Sequence, residues 1–324
     1  MIPVLIDTDP GIDDALALLL AFRTPGWRVV AVTTVAGNVP VEVATANVAR
    51  ILGVLRPDPP PVVAVGAAGP RARPLVTATH VHGPDGLGGL AGVRTPDGRL
   101  RFPEAPLVRH PGDAADLLIE SARRWAGELT IVALGPLTNL ALAVERDGAA
   151  LCRVRGVVAM GGAVAAGGNV TAAAEFNIFV DPESAARVLA AELPLTLVPL
   201  DVTREVVWPA AAVERLAAAR DPGAACAYAL ARAGLALFGA LGEPGITMHD
   251  PLAVGVAGDP TLVETAALPV AVETQGALTR GATVVDRRPA AAGRAPGPTC
   301  RVALRVDAAR FLRLWEERVW PESA

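Results

Sequence analysis

The 324-residue sequence contains no lysine, and all 29 of its basic residues are arginine. A P-loop binds phosphate with a lysine and a Schiff base forms on a lysine amine, so the sequence excludes both chemistries. Runs of one charge are also absent, and the formal net charge is -4. Because a nucleic-acid polymer is bound by a basic surface that releases counterions, we expect no such partner.

Cysteine is scarce, with three residues in the whole chain: Cys152, Cys226 and Cys300. They form no C-x-x-C pair, which is typical of buried thiols in a reducing compartment. No uninterrupted apolar run is long enough to span a bilayer, and the N-terminus lacks a charged segment followed by an apolar one. The sequence therefore predicts a cytoplasmic protein with no membrane partner.

The most informative stretch is near the N-terminus, where Val4, Leu5 and Ile6 predict a buried strand and the apolar run from Ala15 predicts a helix. Four carboxylates lie between or beside them: Asp7, Asp9, Asp13 and Asp14. Clustered charges of one sign are unfavourable unless a cation lies among them. Helix capping explains one or two of the four, and we predict that the others hold a hard divalent cation such as calcium.

Predicted strands alternate with predicted helices along most of the chain, which is typical of a parallel α/β sheet with right-handed crossovers. No repeat and no linker is visible, so we predict one domain over residues 1–324. Its predicted fold is an open, mostly parallel, doubly wound sheet flanked by helices. Ligands of such sheets bind at the carboxyl ends of the strands. The predicted strands are 4–6, 28–34, 62–65, 129–133, 154–160, 195–200 and 301–306.

Residues 66–112 interrupt this alternation and are rich in glycine and proline. A loop of this length inside a compact domain is usually functional or disordered. His80 and His82 lie in it. Two interpretations stay open: the loop is a mobile flap that carries a functional histidine, or its histidines are solvent-exposed and have no role.

Acidic, amide and imidazole side chains follow several predicted strands: Asp9, Asp13, Asp14, Asn38, Asn169, Glu175, Asn177, His249 and Asp250. Each has a structural alternative. Asn38 and Asn177 could be turn residues, Glu175 could lie on the surface, and His249 could cap a helix. If they converge in one crevice, their oxygens suit a cation and hydroxyl groups. An anionic site of this kind favours a neutral polyhydroxyl ligand such as a sugar.

Several separated motifs then occur in a fixed order along the chain. They are 7–15 (DTDPGIDDA), 33–38 (TTVAGN), His82-Gly83 with Gly86-Leu87, 134–139 (LGPLTN), 160–162 (MGG), 174–185 (AEFNIFVDPESA), 248–253 (MHDPLA) and 279–281 (TRG). Together they resemble the motifs of the inosine–uridine preferring nucleoside hydrolases over nearly the whole chain. Motifs in the right order are much more specific than any one of them.

The resemblance implies calcium-dependent hydrolysis of the N-glycosidic bond of a ribonucleoside, through an oxocarbenium-like transition state. It implies one calcium ion per subunit, held by three carboxylates and one main-chain carbonyl: Asp9, Asp14, Asp250 and Leu134. Asp9 would also be the general base on metal-activated water. The implied substrate-binding residues are Asp13, Asn38, Met160, Asn169, Glu175, Asn177 and His249. His249 is the first candidate for protonating the leaving base, and His82, in the flap, is the second.

Other interpretations stay open. A phosphatase of the haloacid dehalogenase type also carries two aspartates spaced like Asp7 and Asp9, although the chain has no lysine and has Gly11 where Thr or Val is expected. A non-catalytic nucleoside-binding protein would keep the same pocket. The helices before the 248–253 motif contain Tyr228 and Phe238 but no tryptophan that could stack on the base. The substrate could therefore be a purine nucleoside, a pyrimidine nucleoside or a modified ribosyl compound. The resemblance also implies a homodimer or homotetramer.

Overall fold

Strand β1 (Ile2–Thr8) lies inside a ten-stranded sheet in the computed structural model. The structure describes residues 1–239, 245–288 and 298–320, except for the side chains of 238 and 239. The other strands are β2 (Trp27–Thr34), β3 (Val62–Val65), β4 (Val108–Arg109), β5 (Thr130–Ala133), β6 (Gly156–Met160), β7 (Leu195–Val198), β8 (Val207–Pro209), β9 (Gly245–Thr247), β10 (Val263–Val272), β11 (Thr283–Val285) and β12 (Thr299–Val306). Their order in the large sheet is β11-β10-β12-β7-β6-β5-β1-β2-β3-β4. Strand β10 is antiparallel to both of its neighbours, β11 and β12, and the other described pairings in the large sheet are parallel. Strands β8 and β9 form a separate antiparallel pair.

Helices connect these strands. They are α1 (Ile12–Phe22), α2 (Val41–Leu55), α3 (Thr79–His82), α4 (Ala114–Arg124), α5 (Thr138–Leu151), α6 (Phe176–Val180), α7 (Pro182–Leu189), α8 (Leu200–Thr203), α9 (Ala210–Glu214), α10 (Pro222–Gly239), α11 (His249–Gly258) and α12 (Ala308–Val319). Short 3₁₀ turns lie at Leu90–Gly92, Arg215–Ala218 and Pro260–Leu262. No helix in the described part of the chain is both long and apolar enough to cross a bilayer.

The sheet is covered on both faces. Successive side chains of a strand point to opposite faces, and Val4 and Ile6 pack into one core with α1, α10, α11 and α12. Leu5, between them, packs into a second core with α4, α5 and α7. Because β1 is buried on both faces, its sequence is a continuous apolar run rather than an alternating one. The predicted single-domain, doubly wound α/β fold is confirmed.

The strand order reverses at β1. Chain order runs outward from β1 through β2, β3 and β4 on one side, and from β5 through β6 and β7 on the other. The loops that follow β1 and β5 therefore leave the sheet in opposite directions and open a crevice at their carboxyl ends, which is where such folds bind ligands.

The structure refines several predicted elements. The 66–112 loop contains α3, a 3₁₀ turn and β4, which are all too short to give a periodic sequence pattern. Helix α5 extends to Leu151 through non-helical backbone at Asp147. The sequence over 209–241 predicts two helices, and the structure ends the first of them, α9, at Glu214, where it continues as a 3₁₀ turn. Residues 288–298 are rich in proline, glycine and alanine, which predicts a loop, and they lie mostly outside the described residues.

Candidate functional site

The aspartate cluster is organised around the carboxylate of Asp14, in the first turn of α1. Its Oδ1 accepts hydrogen bonds from the Thr8 hydroxyl at 2.6 Å and from the main-chain N–H of Asp9 at 3.3 Å. Its Oδ2 accepts from the N–H of Gly11 and the side-chain amide of Asn38, both at 3.0 Å. Asp14 thus ties the end of β1 to the start of α1 and to the loop after β2, and the capping role expected of one aspartate belongs to it.

Asp9 lies fully buried just beyond β1. Its Oδ2 accepts a hydrogen bond from the N–H of Asn38 at 2.6 Å, whereas no described residue hydrogen-bonds to its Oδ1. Burial, together with the neighbouring charge of Asp14, raises the pKa of Asp9 well above its ordinary value. A buried carboxylate oxygen with no donor is costly, and this one is available to a cation or a water molecule.

Three further carboxylate oxygens converge on one point. One oxygen each from Asp13, Asp14 and Asp250 lie within 4.8 Å of one another. Burial and the charge of Asp14 raise the pKa of Asp13 to about 7. Burial, with the charges of Asp13 and Asp14, raises the pKa of Asp250 well above its ordinary value. Such mutual repulsion is relieved by a hard cation, and an all-oxygen donor set of this kind fits calcium or magnesium.

Asp7 has a different environment. Its Oδ1 accepts from the Thr33 hydroxyl at 2.6 Å and from the side-chain amide of Asn139 at 2.7 Å. Burial raises the pKa of Asp7 to about 6. Asp7 is fully buried and does not line the cavity described below. Its hydrogen bonds connect the end of β1 to the end of β2 and to the start of α5.

The loop between β6 and α7 supplies a second group of polar side chains. Glu175 caps α6, where its carboxylate accepts from the N–H groups of Asn177, Ile178 and Gly162. Burial raises the pKa of Glu175. The side-chain amide of Asn177 donates to the carbonyl of Leu134 at 2.6 Å, which links the end of β5 to α6. The surface position considered for Glu175 is therefore wrong, because Glu175 is buried at the start of α6.

Asn169 lies at the exposed rim of the same region. Its Oδ1 accepts from the N–H of Phe176 at 2.9 Å. The glycine-rich segment before it is held by α8, because the Asp201 carboxylate accepts three N–H groups from residues 164–166. Arg204 donates to the carbonyls of residues 167 and 168. These bonds place Asn169 although the segment has no regular secondary structure.

His82 ends α3 in the flap and is buried against the aspartate cluster. Its Nδ1 accepts a hydrogen bond from the main-chain N–H of Ile12 at 3.2 Å and lies 4.0 Å from Oδ1 of Asp13. Burial lowers the pKa of His82 to about 4, so its ring is neutral at pH 7. His80 remains exposed on the cavity wall.

His249 is the first residue of α11, and its helix is preceded by Met248 rather than capped by His249 itself. Its Nδ1 lies 2.7 Å from the hydroxyl oxygen of Thr203. Burial, followed by the charge of Arg204, lowers the pKa of His249 to about 4. Its ring is therefore also neutral at pH 7.

These groups surround one cavity of about 350 Å³, a size suited to a small molecule. It brings together most of the predicted site residues: Asp13, Asn38, His82, Leu134, Met160, Asn169, Glu175, Asn177, His249 and Asp250. Asp9 and Asp14 are fully buried and do not line it, and both are hydrogen-bonded to Asn38, which does. A groove of about 450 Å³ beside α2 gathers only two carboxylates, Glu42 and Glu104, with Arg109, so the chemistry points to the smaller cavity.

The sequence did not predict every residue that lines the cavity. Thr247, Val81, Val170 and Phe176 also line the cavity, and Thr203 lies behind His249. Thr203 lies a few residues after the end of β7 in the large sheet, and this position is the one signal that could have identified it. Thr247 ends β9 in the separate two-stranded sheet, where no such signal applies. Tyr228 does not line the cavity and contacts Glu214 at 3.3 Å instead. The side chain of Phe238 lies outside the described residues.

Comparisons with known proteins find similar sequences and similar folds over nearly the whole chain. A sequence model of the family described as inosine-uridine preferring nucleoside hydrolase matches residues 4–313. Pyrimidine-specific ribonucleoside hydrolase RihA of Salmonella gallinarum is 37% identical over 324 residues, covering 98% of this chain and 98% of the relative.

Two solved structures share the fold over 98% of this chain and 98% of their own length. The plant nucleoside hydrolase PpNRh1 is 34% identical with a TM-score of 0.85. A purine-preferring ribonucleoside hydrolase from Gardnerella vaginalis is 29% identical with a TM-score of 0.88. The relatives differ in the base that their names give, since the Salmonella protein is named pyrimidine-specific and the Gardnerella protein purine-preferring.

Proposed function

The chain belongs to the inosine–uridine preferring nucleoside hydrolase family, and on that premise we propose that it hydrolyses the N-glycosidic bond of a ribonucleoside with one bound calcium ion. One observation carries the proposal. The carboxylates of Asp13, Asp14 and Asp250 converge within 4.8 Å beside a cavity whose walls carry carboxylate and amide groups. Oxygen-rich walls of this kind suit the hydroxyl groups of ribose.

Asp9, Asp14, Asp250 and the carbonyl of Leu134 would hold the calcium ion. Their donor atoms are all oxygen, and Oδ1 of Asp9 has no hydrogen-bond donor among the described residues. The Leu134 carbonyl accepts from Asn177 and retains a second lone pair for a cation. A bound calcium ion supplies positive charge that acidifies water and orients hydroxyl groups.

Asp13 belongs to the same carboxylate cluster, but we assign it to the ribose. Its side chain is 13% exposed and lines the cavity, whereas Asp9 and Asp14 are fully buried. A carboxylate at the wall can accept a hydrogen bond from a sugar hydroxyl without leaving the cluster. Asn38 is proposed for the same task, with its amide N–H already donated to Asp14 and its carbonyl oxygen left for the sugar.

Asp9 is the proposed general base. Its Oδ2 accepts the N–H of Asn38, whereas its Oδ1 has no hydrogen-bond donor among the described residues and is left to accept a proton from water. A water oxygen would attack the anomeric carbon while the bond from that carbon to the base nitrogen breaks. The water proton passes to Asp9, and the electron pair of the broken bond leaves with the base.

Glu175 and Asn177 are proposed to stabilise the positive charge that develops on the sugar ring. The carboxylate of Glu175 is held by three N–H groups, and its orientation is therefore fixed before the ligand binds. Donation of the Asn177 amide to Leu134 leaves Oδ1 of Asn177 for the sugar. Fixed negative and dipolar groups of this kind stabilise a developing cation without reorganising.

His249 and His82 are the proposed residues on the side of the leaving base. Both line the cavity, and both carry neutral rings at pH 7 because burial lowers the pKa of each to about 4. A neutral imidazole N–H can hydrogen-bond to the departing base as negative charge develops on it. His249 is the stronger candidate, because Thr203 holds its ring in place.

The decisive experiment measures free ribose released from inosine, adenosine, guanosine, uridine and cytidine, with and without a strong calcium chelator. We expect release that the chelator abolishes and that added calcium restores. Release that survives removal of all metal would refute the calcium proposal. Absence of release from every nucleoside, with folded and calcium-loaded protein, would refute the hydrolase proposal.

Neither the phosphatase nor the non-catalytic nucleoside-binding protein is favoured. In a haloacid dehalogenase-type phosphatase the first aspartate attacks phosphate, but here Asp7 is fully buried, is hydrogen-bonded to Thr33 and Asn139, and does not line the cavity. A non-catalytic binding protein would not need the buried carboxylate cluster, whose charges oppose folding in the absence of a cation.

A further inference from the structure

Thr203 is buried at the end of α8, and its hydroxyl oxygen lies 2.7 Å from Nδ1 of His249. The two residues come from different parts of the chain, 46 positions apart. A distance of this length is a hydrogen bond, but distance alone leaves open which atom donates.

The surroundings of Thr203 decide the donor. The carbonyl of Pro199, four residues earlier, already accepts the N–H groups of Val202 and Thr203, and the carbonyl of Leu200 accepts the N–H of Arg204. In the described part of the chain, Nδ1 of His249 is the only hydrogen-bond partner of the Thr203 hydroxyl. A buried hydroxyl proton without an acceptor is unfavourable, so the hydroxyl donates to Nδ1.

A ring nitrogen that accepts a hydrogen bond carries no proton. The proton of a neutral His249 is therefore on Nε2, the other ring nitrogen. His249 lines the cavity, and no described residue hydrogen-bonds to its Nε2. That nitrogen is left to donate to a ligand.

We propose that Thr203 is a positioning residue that fixes His249 in its Nε2–H tautomer, so that the ring donates a hydrogen bond to an acceptor atom of the leaving base. This inference rests on the proposed hydrolase function. The acceptor is a ring nitrogen or a carbonyl oxygen, the groups on which negative charge develops as the N-glycosidic bond breaks. Donation then strengthens in the transition state and accelerates bond cleavage.

The kinetic test compares Thr203→Val, which keeps the shape and removes the hydroxyl, with Thr203→Ser, which keeps the hydroxyl. For the best nucleoside substrate we expect Thr203→Val to lower kcat by roughly 3- to 10-fold with little change in KM, because one positioning hydrogen bond is lost. Thr203→Ser should restore most of the rate. Thr130→Val, at the opposite end of β5 from the cavity, is the matched control for loss of a buried threonine hydroxyl.

A second substrate separates positioning from general damage. The leaving group of a 4-nitrophenyl riboside departs as a stable phenolate and needs no hydrogen bond from His249. We expect Thr203→Val to cleave this riboside at the wild-type rate. An equal loss on the nucleoside and on the nitrophenyl riboside would overturn the proposal, since it would show only a distorted site.

The tautomer itself can be observed without any turnover. The chain has four histidines, so a long-range proton–nitrogen NMR spectrum of the calcium-loaded protein is simple, and His249→Gln identifies the signals of His249. We expect the Nε2–H tautomer in the wild type and a mixture of tautomers in Thr203→Val. An Nδ1–H tautomer in the wild type would overturn the proposal. If the wild type cleaved neither substrate, the hydrolase function would fail while this spectrum still decided the role of Thr203.

Discussion

The main-chain N–H of Asn38 donates to Oδ2 of Asp9 at 2.6 Å. This bond connects the loop after β2 to the residue that follows β1, across the carboxyl edge of the sheet. It occupies one oxygen of the carboxylate and orients the other, Oδ1, which no described residue contacts by a hydrogen bond. The fold therefore presents a single oxygen of Asp9 to a cation or to water.

Replacing Asp9 tests this arrangement directly. Asp9→Ala should lower kcat by about 10²- to 10⁴-fold, because it removes the general base, and it should weaken calcium binding. Ribose release and calcium calorimetry measure the two effects separately. Glu317→Gln removes an exposed carboxylate from α12 and is the control for the loss of one charge. Near-normal turnover of Asp9→Ala would contradict the assignment.

Gly135 gives a test that leaves every carboxylate in place. An ideal Cβ at this position would lie 2.5 Å from Oδ1 of Asp9, too close for the carboxylate to keep its orientation. Gly135→Ala should lower activity about 10²-fold and reduce the free energy of unfolding by about 1–3 kcal/mol. Gly148→Ala is the matched control, because its Cβ would lie 3.7 Å from Val144, an ordinary contact. Wild-type kinetics for Gly135→Ala would show that the orientation of Asp9 is unimportant.

The local parts of the site were predictable from the sequence. Asp9, Asp13 and Asp14 lie within one strand-loop-helix unit, so their proximity follows from spacing alone. The grouping of Asn38, Leu134 and Met160 at one edge of the sheet was also predictable. Each residue ends or follows a predicted strand, and parallel strands share a carboxyl edge.

The other parts of the site and of the fold depend on tertiary contacts, which leave no periodic pattern in the sequence. The pairing of Thr203 with His249 and the hydrogen bond from Ile12 to His82 join distant segments of the chain. The position of β12 between β7 and β10 also depends on long-range pairing. The two-residue strand β4 is too short to give an alternating pattern.

Calcium should stabilise the folded protein, in a pH-dependent way. The pKa of Asp13 is raised to about 7 from 3.8, so between these values the metal-free folded state binds more protons than the unfolded state. The free energy of unfolding of the metal-free protein should therefore fall as the pH rises through this window. Calcium binds the deprotonated carboxylates, so its affinity should increase over the same range.

Thermal unfolding with and without calcium measures both effects. At a calcium concentration about 100-fold above Kd, the stabilisation should be about 2.7 kcal/mol. Asp250→Asn removes one carboxylate of the cluster and should abolish most of the calcium-dependent shift in Tm. A calcium affinity that is constant from acidic to neutral pH would exclude titrating carboxylates from the binding site.

The flap should depend on Asp85, whose carboxylate organises the turn after His82. It accepts hydrogen bonds from the N–H groups of Leu87, Gly89 and Ala91, at 3.1, 2.8 and 2.9 Å. Asp85→Ala removes all three bonds and reduces the order of the segment that holds His82 in its hydrogen bond with the N–H of Ile12. We expect KM for the nucleoside to rise about 5- to 10-fold, with a smaller change in kcat, since the loss of such bonds costs on the order of 1 kcal/mol.

Limited proteolysis provides the structural measurement for the same variant, and cleavage within 79–92 should become faster than in the wild type. Asp97→Ala is the matched control, because Asp97 is an exposed aspartate of the same loop whose carboxylate bonds only to Thr95 and Arg99 among the described residues. If Asp85→Ala and Asp97→Ala gave the same KM and the same cleavage rate, the flap would not contribute to substrate binding. A rise in KM confined to Asp85→Ala would instead show that the order of the flap, and with it the position of His82, is part of the binding site.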